Sequence, residues 1–283
     1  MSPKSINLST QPGPIGIFDS GYGGLTILQK IRELMPQYDY IYLGDNARAP
    51  YGNRSYEIIY EFTLQAVQHL FQMGCHLVIL GCNTASAKAL RTIQQRDLPT
   101  LDPDRRVLGV IRPTAECIGQ LTQTRHVGIV GTPGTIRSRT YELEIAKLHP
   151  DIQVTGEACP MWVPLVENQE FDSPGADYFV EKRISSLLQR DPQIDSIILG
   201  CTHYPLLLNK IRRYTPPGIR IVPQGDYVAS SLQDYLSRHP EMEEKITQGG
   251  STTYLTTEQP DQFTQSANIF LGSPIQATRI VME

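Results

Sequence analysis

Two stretches of this chain end alike. Val78-Ile79-Leu80-Gly81-Cys82-Asn83-Thr84 and Ile197-Ile198-Leu199-Gly200-Cys201-Thr202-His203 each run from aliphatic residues through Gly-Cys into small polar residues. A fainter echo pairs Ile15-Gly16-Ile17-Phe18-Asp19-Ser20-Gly21 with Val127-Gly128-Ile129-Val130-Gly131-Thr132-Pro133. Such self-similarity means two related halves. Each half offers one thiol at the same structural place, which predicts a pseudo-twofold molecule with both thiols facing one cleft.

The pattern between the repeats gives the fold class. Short Ile- and Val-rich runs at 15–18, 40–43, 77–80 and 107–111 read as buried strands. A second series follows at 127–130, 152–155, 197–199 and 220–222. Helical spacing lies between them. Over 56–73 the apolar positions are Ile58, Ile59, Phe62, Ala66, Val67 and Leu70; over 178–188 they are Phe179, Val180, Ile184, Leu187 and Leu188. Alternating strands and helices build parallel sheets with right-handed crossovers. The expectation is an α/β protein of two pseudo-symmetric domains, each a mostly parallel sheet flanked by helices. A length of 283 residues agrees with about two domains, and the residues alone suggest a cut near 112. Ligands of open parallel sheets bind beyond the carboxyl ends of the strands, so the turns after the strands carry the functional information.

Composition narrows the partners. With 25 Lys and Arg against 29 Asp and Glu, the net charge of −4 offers no basic field for nucleic acid or anionic lipid. The polar stretch 1–13 has no apolar run of the signal-peptide kind. The longest apolar runs are strand-sized, short of the ~20 residues of a membrane helix. The expected location is the cytoplasm.

The five cysteines, Cys75, Cys82, Cys117, Cys159 and Cys201, form no C-x-x-C pair. An odd count of this kind is neither a disulfide framework nor a zinc site, so a functional cysteine would act as a thiol. Cys75, Cys117 and Cys159 lack the Gly-Cys strand-end setting and read as structural. Cys82 and Cys201 each sit where a strand gives way to a helix start, a position that can lower a thiol pKa from about 8.5. Opposed thiols suit stereoinversion. One thiolate removes a proton from one face of a carbon while the other thiol delivers a proton to the opposite face. That chemistry needs neither metal nor organic cofactor.

Other turns supply binding groups. Asp19-Ser20-Gly21-Tyr22-Gly23-Gly24 follows the first strand, but Thr26 stands where a dinucleotide fingerprint would place its third glycine. The preferred reading has backbone amides closing on an anion, with Asp19 and Ser20 facing the cleft. Pro50-Tyr51-Gly52 lies in the loop after the second strand. Asn83, Thr84, Thr132, Thr135 and Thr202 suit an α-carboxylate, although each alone could be a helix cap. His203, two residues past Cys201, reads as a structural histidine or as a proton-tuning partner of that thiol. Glu167, in Val163-Pro164-Leu165-Val166-Glu167, reads as a surface loop carboxylate by composition alone.

Taken in order, Asp19-Ser20-Gly21, Pro50-Tyr51-Gly52, Gly81-Cys82-Asn83-Thr84-Ala85-Ser86-Ala87 and Gly200-Cys201-Thr202-His203-Tyr204-Pro205-Leu206-Leu207 resemble the glutamate racemases, cofactor-independent enzymes of the aspartate/glutamate racemase superfamily. The resemblance runs from about Gly13 to Asp226. It implies interconversion of L- and D-glutamate, with D-glutamate feeding peptidoglycan synthesis. It implies that Cys82 takes the α-proton of D-glutamate and Cys201 that of L-glutamate. Asp19 would support Cys82, and His203 and Glu167 would support Cys201. Substrate would be held by Asp19, Ser20, Tyr51, Gly52, Asn83, Thr84, Thr202 and His203, with Thr132 and Thr135 as a further carboxylate contact. The family fold implies a first domain of 14–109 plus 228–283, a second of 110–227 inserted into it, and an N-terminal extension of 1–13. A homodimer would be unsurprising.

Three other functions remain at this point. Aspartate could replace glutamate as substrate, although His203-Tyr204-Pro205 after the second cysteine favours glutamate. A cysteine hydrolase could use Cys201 and His203 but would leave Cys82 unexplained. A ligand-capture module of two α/β domains would need no thiols at all.

Overall fold

The computed structural model describes residues 10–282; residues 1–9 of the expected extension lie outside the described residues. Among the described residues ten strands form two all-parallel sheets. The first sheet holds β1 (Ile15–Asp19), β2 (Tyr40–Gly44), β3 (Leu77–Leu80), β4 (Arg106–Gly109), β9 (Thr252–Thr256) and β10 (Ala277–Arg279), in the order β10-β9-β2-β1-β3-β4. The second holds β5 (His126–Gly131), β6 (Gln153–Ala158), β7 (Ser196–Gly200) and β8 (Arg220–Val222), in the order β6-β5-β7-β8.

Four consecutive strands of the first sheet, β2-β1-β3-β4, repeat in the second as β6-β5-β7-β8. β1 therefore corresponds to β5 and β3 to β7, the pairs that the sequence echoes link. β1, β2, β3 and β7 are buried at every residue, as expected of strands covered by helices on both faces. The helix Tyr56–Gln72 shows how the cover forms. Ser55 accepts a hydrogen bond from Ile58 N and so caps its start, and Ile59, Thr63, Ala66, Val67, Leu70 and Phe71 make one buried stripe.

The sequence reading departs from the structure in three places. The strand expected over 107–111 stops at Gly109, and Ile111 starts the helix Ile111–Leu121. The strand expected over 152–155 runs on to Ala158, because β6 pairs with β5 through six registers, His126↔Gln153 to Gly131↔Ala158. The count of about four strands per sheet misses β9 and β10. β9 is Thr-Thr-Tyr-Leu-Thr, without an Ile/Val run to mark it.

Candidate active site

All the turns singled out above lie at the carboxyl ends of strands. Ser20 follows β1, Tyr51 and Gly52 follow β2, and Cys82, Asn83 and Thr84 follow β3. In the second sheet Thr132 follows β5, Glu167 lies beyond β6, and Cys201, Thr202 and His203 follow β7. These eleven residues line a single cavity of about 80 Å³. Turns of both sheets thus line one cavity, and Cys82 and Cys201 are both part of that lining. Both are almost wholly buried, and all five cysteines are free thiols.

Each sulfur has its own surroundings. Cys82 is the N-cap of the helix Asn83–Lys88; its Sγ accepts from Ala85 N at 3.5 Å and lies 3.4 Å from Ser20 Oγ. The expectation that this helix start lowers the thiol pKa is not met. Burial dominates and, with the nearby Asp19 carboxylate, pushes Cys82 up to about 12; the bonds from Ser20 and Ala85 pull the other way. Cys201 sits instead at the head of a chain. Its Sγ is 3.8 Å from His203 Nδ1, and His203 Nε2 is 3.2 Å from Glu167 Oε1. Burial opposes a charge on His203, but the hydrogen bonds to Cys201 and Glu167 outweigh it and raise the imidazole to about 10. Glu167 is no loop residue: it closes the short helix Trp162–Glu167.

Asp19 and Thr135 stand behind the wall rather than in it. Asp19 Oδ1 accepts from Gly21 N at 2.8 Å, while its buried Oδ2 has no hydrogen-bond partner among the described residues. Burial raises its pKa, against the pull of His203. Thr135 Oγ1 is 3.0 Å from Thr132 Oγ1 and 3.4 Å from Thr84 Oγ1, and the latter two are 3.0 Å apart, so three hydroxyls from both sheets meet in one cluster. The Tyr51 hydroxyl donates to Asp45.

Gly23, in the turn after β1, has a steric role. A Cβ on Gly23 would lie 2.3 Å from Thr202 Oγ1 and 2.5 Å from His203 Nδ1. Only glycine lets the β1 turn pack directly on the residues that follow Cys201.

Cys159, expected to be merely structural, also lines the cavity, as do Pro160, Val163 and Pro164. The signal was present but hidden: with β6 ending at Ala158, Cys159 is itself a strand-end residue. Gln224 and Tyr141, which hold Asn83, carried no motif at all. Among the described residues no group of three or more His, Cys, Asp or Glu is arranged to hold a metal ion. Among the described residues no Lys or Arg lines the cavity, so a carboxylate there would be held by hydroxyls, amides and backbone N–H groups. Two thiols lining one small cavity are a set of groups that can take a proton from a carbon and return one to it.

Comparison with known proteins gives the family. Residues 23–230 match the model of the Asp/Glu/hydantoin racemase family. A glutamate racemase of Ruegeria sp. is 39% identical over 271 residues, covering 92% of this chain and 97% of that protein. One of Paracoccus denitrificans is 39% identical over 272 residues, covering 93% and 98%. Among solved structures, a glutamate racemase isoform of Bacillus anthracis superposes with a TM-score of 0.87 at 32% identity, covering 95% of this chain and 98% of that one. A glutamate racemase of Francisella tularensis in complex with D-glutamate gives 0.85 at 28% identity, covering 96% and 98%. With its family model, its curated relatives and its paired sheets in agreement, the chain belongs to the Asp/Glu/hydantoin racemase family.

Proposed function

We propose that the protein interconverts L- and D-glutamate by two-thiol proton transfer. The observation that carries this reading is the placement of Cys82 and Cys201, the equivalent residues after β3 and β7, on one cavity. The near-full-length similarity to glutamate racemases, and to one solved with D-glutamate, supports glutamate as the substrate.

From D-glutamate, the Cys82 thiolate takes the α-hydrogen as a proton. An S–H bond forms and the C–H electron pair stays on the α-carbon. The Cys201 thiol then gives its proton to the opposite face, leaving L-glutamate and a Cys201 thiolate. The reverse direction exchanges the roles. Asp19 serves Cys82, while His203 and Glu167 serve Cys201. Burial holds the Cys82 thiol neutral; the α-ammonium of the substrate brings a cation that favours the thiolate, which links ionisation to binding. Ser20, Tyr51, Gly52, Asn83, Thr84, Thr132, Thr135, Thr202 and His203 hold the substrate, without a cofactor.

The same reading divides the chain into 14–109 plus 228–283 and an inserted 110–227. It places the protein in the cytoplasm, supplying D-glutamate for peptidoglycan. No described helix is long and apolar enough to cross a membrane.

The test is purified protein with D-glutamate in deuterium oxide and no added cofactor. L-glutamate should appear with deuterium at the α-carbon. A requirement for pyridoxal phosphate, or turnover of aspartate in preference to glutamate, would defeat the proposal.

A further inference from the structure

Asn83 opens the helix that follows Cys82, and both ends of its side-chain amide are held. Nδ2 donates to Gln224 Oε1 at 2.6 Å, and Oδ1 accepts from the Tyr141 hydroxyl at 2.6 Å. Gln224 Nε2 lies 2.6 Å from that same hydroxyl, 3.0 Å from Val110 O and 3.1 Å from Thr114 Oγ1. Asn83, Gln224 and Tyr141 therefore close a three-membered ring of hydrogen bonds. Every member is buried, so a broken link would leave a polar atom without water to replace its partner.

The ring draws on both sheets. Asn83 follows β3 of the first sheet. Tyr141 lies on the helix Thr140–Leu148, which packs against the helix Ile111–Leu121 beside the second sheet. Gln224 precedes the helix Gly225–Arg238, where the chain leaves β8. Val110 stands where it leaves β4. The two chain crossings between the sheets thus meet at one amide. An amide has two protons on nitrogen and two lone pairs on oxygen. The ring uses one of each on Asn83, which leaves one N–H and one lone pair to face a ligand in a fixed orientation.

We infer that Gln224 and Tyr141 are positioning residues that set the Asn83 amide for substrate, an inference that rests on the reading of Asn83 as a substrate contact. Neither residue is in the cavity wall; both act through Asn83.

A double-mutant cycle on the full-length protein tests this. Gln224→Met keeps the side-chain length and removes its polar atoms, and Tyr141→Phe removes only the shared hydroxyl. Each should raise KM for both glutamate enantiomers roughly tenfold, with kcat changed by less than about threefold, as expected for loss of one oriented buried hydrogen bond. Asn83→Ala should do the same. Adding Gln224→Met to Asn83→Ala should then cost less than about a further threefold. A full multiplicative loss in the Asn83→Ala background would overturn the inference, because Gln224 would then act independently of Asn83. A loss confined to kcat, or none in either single variant, would also overturn it. If Gln224→Met fails to fold, Tyr141→Phe runs the same cycle. Unchanged glutamate affinity in Asn83→Ala would remove both the substrate contact and this inference while leaving racemisation standing. A multiplicative double mutant would remove the inference alone.

Discussion

His203 Nε2 lies 3.2 Å from Glu167 Oε1, and this pairing reaches across from the turn after β7 to the helix that follows β6. Through the other ring nitrogen, 3.8 Å from Cys201 Sγ, a carboxylate at the cavity edge is joined to a buried thiol. Cys82 has no such chain; its sulfur meets a serine hydroxyl and a backbone N–H. The two thiols are equivalent in topology and unlike in electrostatics, and this difference makes their roles separable by experiment.

The first consequence concerns pH. With His203 raised from 6.5 to about 10, the folded state favours the imidazolium. Its contribution to stability is complete below the unfolded pKa, and it declines as pH rises from 6.5 through about 10. The rate with L-glutamate, where Cys201 is the base, should fall on the alkaline side near pH 10 as the imidazolium is lost. Glu167→Gln removes a carboxylate that raises the histidine, so this limb should move to lower pH. Profiles of kcat/KM against pH for the two proteins decide the matter, and an unmoved limb would separate Glu167 from His203 function.

Replacing either sulfur should stop racemisation in both directions. A proton must leave one face and arrive on the other, so neither thiol can act alone. Cys82→Ser and Cys201→Ser should each lower kcat roughly 10²–10⁴-fold, the usual weight of a positioned acid or base. Circular dichroism of glutamate over time measures the loss. Turnover near that of the parent protein in either variant would withdraw the role given to that cysteine.

Asp19 tests the electrostatics of the other thiol. After burial, its carboxylate is the largest influence holding the Cys82 thiol up. Asp19→Asn keeps the shape and removes the negative charge, so the Cys82 pKa should fall. At pH 9, where the parent thiol is almost wholly protonated, iodoacetamide should label Cys82 faster in the variant, since the thiolate is the reactive form. Mass spectrometry of the labelled peptide gives the rate. Racemisation should fall at the same time if Asp19 handles protons for Cys82. Slower labelling would reverse the sign of the interaction assigned here.

These effects show what the sequence could carry and what it could not. The strands ending at Gly81-Cys82 and Gly200-Cys201 are legible because buried parallel strands demand unbroken aliphatic runs, and the repeat makes each run vouch for the other. β9 escaped because Thr-Thr-Tyr-Leu-Thr has no such run, although it pairs with β2 along five residues. Cys159 was obscured for a related reason: Gly156 and Glu157 break the apolar pattern of an edge strand, so the end of β6 falls three residues later than its aliphatic residues suggest. The pKa of Cys82 was misjudged because a helix start is visible in sequence, whereas the depth of burial is not. Gln224 could not be found from spacing, since its bonds to Asn83 and Val110 join residues more than a hundred positions apart.

Gly23 gives the last test, of the contact between the β1 turn and the residues after Cys201. Gly23→Ala places a methyl group 2.3 Å from Thr202 Oγ1 and 2.5 Å from His203 Nδ1, well inside ordinary van der Waals separation. His203 is held on its far side by Glu167 and on its near side by Cys201, so the ring cannot turn aside without breaking that chain. Strain from one added methyl in a packed region is roughly 1–3 kcal/mol, which should lower the Tm by several degrees in a chain of this size. The kinetic signature is more specific. Displacing His203 disturbs Cys201 and leaves the bonds from Ser20 and Ala85 to Cys82 in place. In single-turnover experiments, exchange of the α-hydrogen of L-glutamate should therefore be lost before exchange from D-glutamate. Equal loss of the two exchange reactions would mean that the methyl group distorts the whole cavity rather than the His203 side of it.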